Sequence, residues 1–125
     1  MTHHITADQL VGVIYRDVFV AAVEDSESVL KNPPGKSPGE EALRLQQWYR
    51  DLSAVDRNNL QMVMRKAAFN AVFGMLCLLD NVRPIVDGFE QELRISIESS
   101  GVRTDIDPSE QLHEIFTAAV DDPES

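Results

Sequence analysis

The order of apolar and polar positions divides this chain into two regimes. Up to about Asn81 apolar residues recur at helical spacing; beyond Pro84 they alternate one by one. Leu10, Ile14, Val18 and Ala21, with Val11 and Ala22 beside them, predict a first helix over about residues 7–27. Leu45, Trp48, Tyr49 and Leu52, at i, i+3, i+4 and i+7, predict a second over residues 38–51. A third, long helix is expected over residues 54–80. At about 100° per residue, Leu60, Val63, Met64, Ala67, Ala71, Gly74, Met75 and Leu78 fall on one face of it, the expected inner one. Phe69, Phe73 and Leu76, joined by Met62, form a second apolar stripe on the opposite side.

No residue from Ala67 to Leu79 carries a charge. A helix that is apolar all round is buried all round, so the second half of this helix is expected to be a central rod with the other helices about it. The alternative is a homodimer contact through Met62, Phe69, Phe73 and Leu76. Asn70, alone in the run, reads as a hydrogen-bonded core or boundary amide.

After Pro84, Leu93, Ile95 and Ile97 alternate with Glu92, Arg94, Ser96 and Glu98. Val102, Thr104 and Ile106 follow a Ser99-Ser100-Gly101 turn. This predicts a β-hairpin over residues 89–106 with one apolar and one acidic face. A lone hairpin is marginal in water, so its apolar face should lie on the helices. A last helix, residues 108–120, points Leu112, Ile115, Phe116 and Ala119 inward, and the tail D-D-P-E-S should fray.

The punctuation agrees with these periods. Thr6, Ser37, Ser53 and Asp107 each precede an apolar-periodic run, with Gln9, Glu40, Asp56 and Glu110 three residues on, a helix-start signature. Three prolines and two glycines mark residues 31–39 as a loop. The fold class is mainly α: one domain, a compact four-helix arrangement around a long central helix, with a two-stranded β-hairpin before the last helix.

Charge changes the picture of partners. The chain has 125 residues and a formal net charge of −10. Residues 1–83 hold ten acids and nine bases, whereas residues 84–125 hold eleven acids and two bases, Arg94 and Arg103, a net of −9. That asymmetry speaks against nucleic acid, whose phosphates need Lys and Arg, and suits a basic protein partner or solubility alone. Six acids, Glu90, Glu92, Glu98, Asp105, Glu110 and Glu114, are expected to form a one-sided acidic surface. The single cysteine, Cys77, lies in the apolar run and fits a reducing compartment. No signal peptide is expected at an N-terminus without a basic segment, and a spanning helix needs about 20 apolar residues, so the expectation is a soluble cytoplasmic protein without a membrane role.

No chemical constellation emerges. Gly35-Lys36-Ser37 lacks the earlier glycine of a phosphate loop and is flanked by Pro33, Pro34 and Pro38, which remove amide donors. His113-Glu114 lacks a second histidine one turn on, where Thr117 stands. His3 and His4 precede the first cap and are expected to be solvated. The acids at 105, 107 and 110 lack the glycine and glutamate of a calcium loop. Cys77 is in surroundings that favour the inert thiol. The expectation is a non-enzymatic protein with no catalytic residue, metal or cofactor.

Three stretches, L-S-A-V-D-R-N-N (Leu52 to Asn59), F-G-M-L-C-L-L-D-N-V-R (Phe73 to Arg83) and D-P-S-E-Q-L-H-E-I-F (Asp107 to Phe116), together resemble small acidic, largely uncharacterised bacterial proteins with a long central helix, a short β-ribbon and a terminal helix. Where that pattern has Gly, this chain has Asn81. The resemblance implies a partner-binding protein, immunity proteins against bacterial toxins among them, and carries no catalytic residue. The leading expectation is an immunity-type inhibitor that binds a basic toxin through the acidic C-terminal third. A structural or adaptor homodimer is the alternative, and a DNA mimic the third reading.

Overall fold

A computed structural model of the chain describes residues 4–88 and 90–121. It is mainly helical, with four helical rods and a two-stranded antiparallel hairpin before the last. His3, expected to be solvated, Phe89 at the head of the expected hairpin, and the tail beyond Asp121 lie outside the described residues.

The first rod, α1, runs through Ala7–Ile14, a π-helical stretch Tyr15–Val20 and Ala21–Lys31. Its start is the expected one: Thr6 Oγ1 accepts the Gln9 amide at 3.1 Å and Gln9 Oε1 accepts the Thr6 amide at 2.9 Å. Its inner stripe matches the expected one only up to the π-helical stretch: Val11 is buried and Leu10 and Ile14 pack against the core. Val18 is exposed and Ala22 faces solvent, whereas Ala7, Val11, Phe19 and Val23 are buried, with half-buried Tyr15 between. These positions step by four. In a regular α-helix each such step drifts by about 40°, which would carry Val23 nearly half-way round from Ala7. The wide turn, closed by the Ala21 amide on the Arg16 carbonyl five residues back, absorbs that drift and keeps one face inward.

Helix α2 spans Glu40–Asp51. It starts at Glu40, two residues later than expected, with Gly39 rather than Ser37 at the cap position. Tyr49 is its buried residue, with the Arg57 guanidinium 5.1 Å over the ring, while Trp48 and Leu45 remain partly exposed. Helix α3 spans Ala54–Leu79, capped by Ser53, whose hydroxyl accepts the Asp56 amide at 3.1 Å. It stops at Asn81, which takes the left-handed conformation (φ 63°) that ends helices.

The Asn81 side chain then acts as a strand-like partner for the following segment. Its amide donates to the Leu93 carbonyl at 3.1 Å and its oxygen accepts the Leu93 amide at 2.7 Å. Strands β1 (Ser96–Ser99) and β2 (Val102–Asp105) pair with Glu98 opposite Arg103 and Ile97 opposite Thr104. Ser100 and Gly101 both have positive φ, the two-residue turn whose twist matches a hairpin. The regular strands are shorter than the expected span, but the alternation holds: Ile95, Ile97 and Ile106 turn to the core.

Helix α4 spans Leu112–Asp121 and begins later than expected. The Asp107 carboxylate does not cap it; it accepts the Ser109 amide and hydroxyl at 2.9 and 2.8 Å, closing a turn of its own. The core joins α1, α3, α4 and the hairpin around Phe116, which is fully buried. Phe116 meets Phe19 edge-on at 5.4 Å and stacks on Phe69 at 5.5 Å; Phe69 in turn stacks on Phe73 at 5.4 Å.

Candidate functional site

That aromatic ladder decides which side of α3 faces in. Burial stabilises in proportion to apolar area, and a phenylalanine offers far more of it than an alanine or glycine. The stripe containing Phe69, Phe73 and Leu76 therefore turns to the core, with Leu76 only 1% exposed. This corrects two expectations. Leu76 is not available as a dimer face, Phe69 and Phe73 are half-buried against the core, and of that set only Met62, 57% exposed, lies outside. The expected inner face is the outer one. Val63 and Met75 are 62% and 58% exposed, Ala67, Asn70 and Ala71 are exposed, and Leu60, Gly74 and Leu78 are half-buried.

The result is a long helix covered along one side only. By length and composition Ala54–Leu79 is apolar enough to cross a membrane, yet only 11% of its most apolar 18-residue window is buried. The apolarity of α3 is therefore not accounted for by its own core. Gly74 sharpens the point. A Cβ built there would meet nothing within 4 Å, so the chain's own packing does not require the glycine. Glycine in a helix interior costs about 1 kcal/mol relative to alanine.

The whole surface shows the same imbalance. Thirteen large apolar side chains are exposed among the described residues, against eleven apolar residues buried. The chain exposes 9107 Å², whereas a compact monomer of 14.0 kDa exposes roughly 6,700 Å². The eight residues outside the description would supply about 1,300 Å² even as unfolded chain, which leaves an excess of about 1,000 Å².

Beside this face lies an open groove of about 550 Å³. Phe19, Phe69, Met62 and Val120 line it with apolar surface, and Arg65, Lys66, Asn70 and Asp121 supply its polar groups. The Arg65 guanidinium sits 5.0 Å over the Phe19 ring, so the cation covers the edge of the core. Met62, Lys66 and Asn70 belong both to the groove and to the margin of the outer face.

The six acids expected to bind a partner are all exposed, but they do not form one unpaired patch. Arg94 pairs with Glu92 at 3.2 Å and Arg103 with Asp105 at 3.0 Å, while Glu98 stands opposite Arg103 in the ladder. Glu90 and Glu92 share an open hollow of about 520 Å³ with Asp80, Asn81, Gln91 and Pro108. Glu110 sits in the turn before α4, and Glu114 is in the first turn of α4.

One polar cluster was not singled out by sequence reasoning. Asp80, at the C-terminus of α3, has a side chain only 3% exposed. Its two oxygens accept the Leu112 amide at 3.0 Å and the His113 amide at 2.8 Å, capping α4 from another element. Oδ2 also lies 2.6 Å from His113 Nδ1, and a carboxylate only accepts, so that nitrogen is the donor. The Phe73 ring stands edge-on to the His113 ring at 5.6 Å. The available signal was an acid at the end of a helix where the dipole disfavours it.

Elsewhere the perturbed groups lie on the surface. Ser109 holds the Asp107 carboxyl below its ordinary range, while Asp17 and Glu27 raise Arg16 and Lys31. Among the described residues no group of three or more His, Cys, Asp or Glu side chains is placed to hold a metal ion. No family model, curated protein or solved structure matches the chain.

Proposed function

We propose that this chain is a non-enzymatic protein-binding module whose binding element is the outer face of α3 with the adjoining groove. The observation that carries this reading is the long apolar face that the fold leaves uncovered. Monomeric soluble proteins rarely expose contiguous apolar patches beyond a few hundred Å², and larger ones mark interaction sites. The shape also fits. A helix presenting small residues between larger ones lets another helix approach closely.

The test is a photo-cross-linking amino acid placed at Ala67 and, separately, at Lys36 in cells that make the protein. Adducts to a protein, whether this chain or another, should form from position 67 and not from 36. Adducts from position 36 with none from position 67 would refute it.

A second reading is favoured by the acidic hollow around Glu90 and Glu92 and by the net −9 of residues 84–125. On it the chain is an immunity-type inhibitor of a basic bacterial toxin. With Glu92 and Asp105 already paired to arginines, the role left to the acidic surface is steering, which raises association rate and weakens with salt. A toxin partner whose association is indifferent to salt and to Glu90→Lys, Glu98→Lys would sink that reading.

A further inference from the structure

We infer that the occupant of the outer face of α3 is a second copy of this chain, packed antiparallel. The inference rests on the binding-face reading above and assigns its partner. Three observations select a copy of the chain itself.

The first is area. Taken over the whole chain, the excess surface of about 1,000 Å², after allowance for the residues outside the description, is on the scale of the roughly 800 Å² per partner that a standard interface buries, and Val63 and Met75 expose part of it on this face.

The second is self-complementarity, which a two-fold contact demands because the same patch must serve both subunits. A two-fold axis between Asn70 and Ala71 sets Ala67 against Gly74 and Val63 against Leu78. Small residues meet at the centre, where the helices cross most closely, and larger ones meet on either side. Helix axes approach to about 8 Å only where the contacting side chains are small. Gly74, which the chain's own packing leaves open, then has a neighbour that requires it. Asn70 sits beside the axis, where its amide meets its own copy.

The third is charge. The first half of α3, residues 54–66, carries three bases and one acid, and residues 67–79 carry none. At its far end Glu90 and Glu92 gather around Asn81. An antiparallel pair sets the basic half of each helix towards the acidic end of the other; a parallel pair superposes like charges. The helix dipoles favour the same orientation.

A membrane fits the face less well. A spanning α3 would carry Arg65 and Lys66 within its apolar window, and its other side is already packed on α1 and α4.

The test is sedimentation equilibrium of the purified chain, with Gly74→Arg and Ala67→Glu as variants. The wild type is expected at twice 14.0 kDa at micromolar concentration. Both variants should raise the dimer dissociation constant at least 100-fold while keeping the helical circular dichroism. Gly74→Arg is the cleaner of the two, because the space beyond its Cα is open in the single chain. Spin labels on Val55 should lie about 45 Å apart in the dimer at a rise of 1.5 Å per residue, whereas a parallel pair would bring them close. A wild-type chain that is monomeric at 100 µM, a Gly74→Arg variant that still dimerises, or labels that lie close together would overturn the inference. Binding of the monomer to phosphatidylglycerol vesicles, abolished by Gly74→Arg, would overturn it in favour of a lipid surface. If the chain is monomeric while position 67 still cross-links to a different protein, self-pairing fails and the binding-face reading stands.

Discussion

Replacing Asp80 by alanine tests how the last helix is held. The perturbation removes one side chain from three bonds at once: the amides of Leu112 and His113 and the His113 ring nitrogen. An exposed cap lost to alanine costs about 1 kcal/mol. Asp80 is not exposed, so its partners lose their acceptor without access to water, and each buried donor left unsatisfied costs about 1–3 kcal/mol. The expected loss is therefore about 3–5 kcal/mol, several times that of an ordinary cap. With a urea slope of about 1–3 kcal/mol/M, the unfolding midpoint should fall by about 2 M.

The yardstick lies in the same protein. Ser53 caps α3 through a single exposed bond, and Ser53→Ala should cost about 1 kcal/mol. Both variants are compared with wild type by urea unfolding at one fixed protein concentration, because any association adds to apparent stability. Asp80→Asn keeps one acceptor oxygen but turns an NH₂ group towards donors, so it should fall between alanine and wild type. If Asp80→Ala costs no more than Ser53→Ala, or Asp80→Asn matches wild type, the carboxylate is not the clamp described above.

Phe116→Ala removes the fully buried ring at the centre of the aromatic ladder and should cost about 3–5 kcal/mol by denaturant unfolding. Asp107 has a folded-state pKa lowered by Ser109, so its contribution is present above the unfolded pKa and is lost as pH falls through the folded one. Asp107→Asn should therefore lower stability slightly at neutral pH and flatten the acid limb below about pH 4, so that variant and wild type converge in acid. Deleting Asp17 from the π stretch should be tolerated within about 1 kcal/mol, because Val11 and Phe19 would then stand seven residues apart, close to in phase on a regular helix. Deleting Asp25 should cost more, since it rotates residues 26–31 against α2. The two deletions are compared by thermal unfolding, and equal losses would refute the phase argument.

What was legible in the sequence depended on how local each signal is. The caps at Thr6 and Ser53, the stop at Asn81 and the Ser100-Gly101 turn are local stereochemistry, and each stands where the residues put it. The hairpin alternation was legible because one face had to be apolar to pack. The inner face of α1 was legible only through Leu10, Val11 and Ile14, since a regular period was assumed and the π turn then changes the phase. The inner face of α3 was misread because both sides of the helix are apolar, so periodicity alone does not choose between them. The choice falls to area, which favours two stacked phenylalanines over alanines and a glycine. The Asp80 clamp joins residues 32 and 33 positions apart, a separation that no local pattern reports.

The inversion of α3 also bears on why its outer face reads as it does. Helix positions that meet only solvent are best filled by strong helix formers, and Glu, Lys, Gln and Arg serve there without any packing demand. Residues 63, 67, 71 and 74 hold Val, Ala, Ala and Gly instead. Val and Gly are poorer helix formers than those alternatives, and none of the four adds solubility. A protein that carries a net charge of −10 has no shortage of charged residues to place there. If the face met only water, charging it would stabilise α3 and leave the core untouched. Val63→Glu therefore separates the possibilities. On an uncovered face it raises the stability of the chain by a few tenths of a kcal/mol and changes nothing else. On a face that is covered it abolishes the association and lowers apparent stability by whatever that association contributed. Sedimentation and urea unfolding of this one variant, measured on the same sample, read both quantities. A variant that is more stable than wild type and unchanged in mass would show that the face is bare.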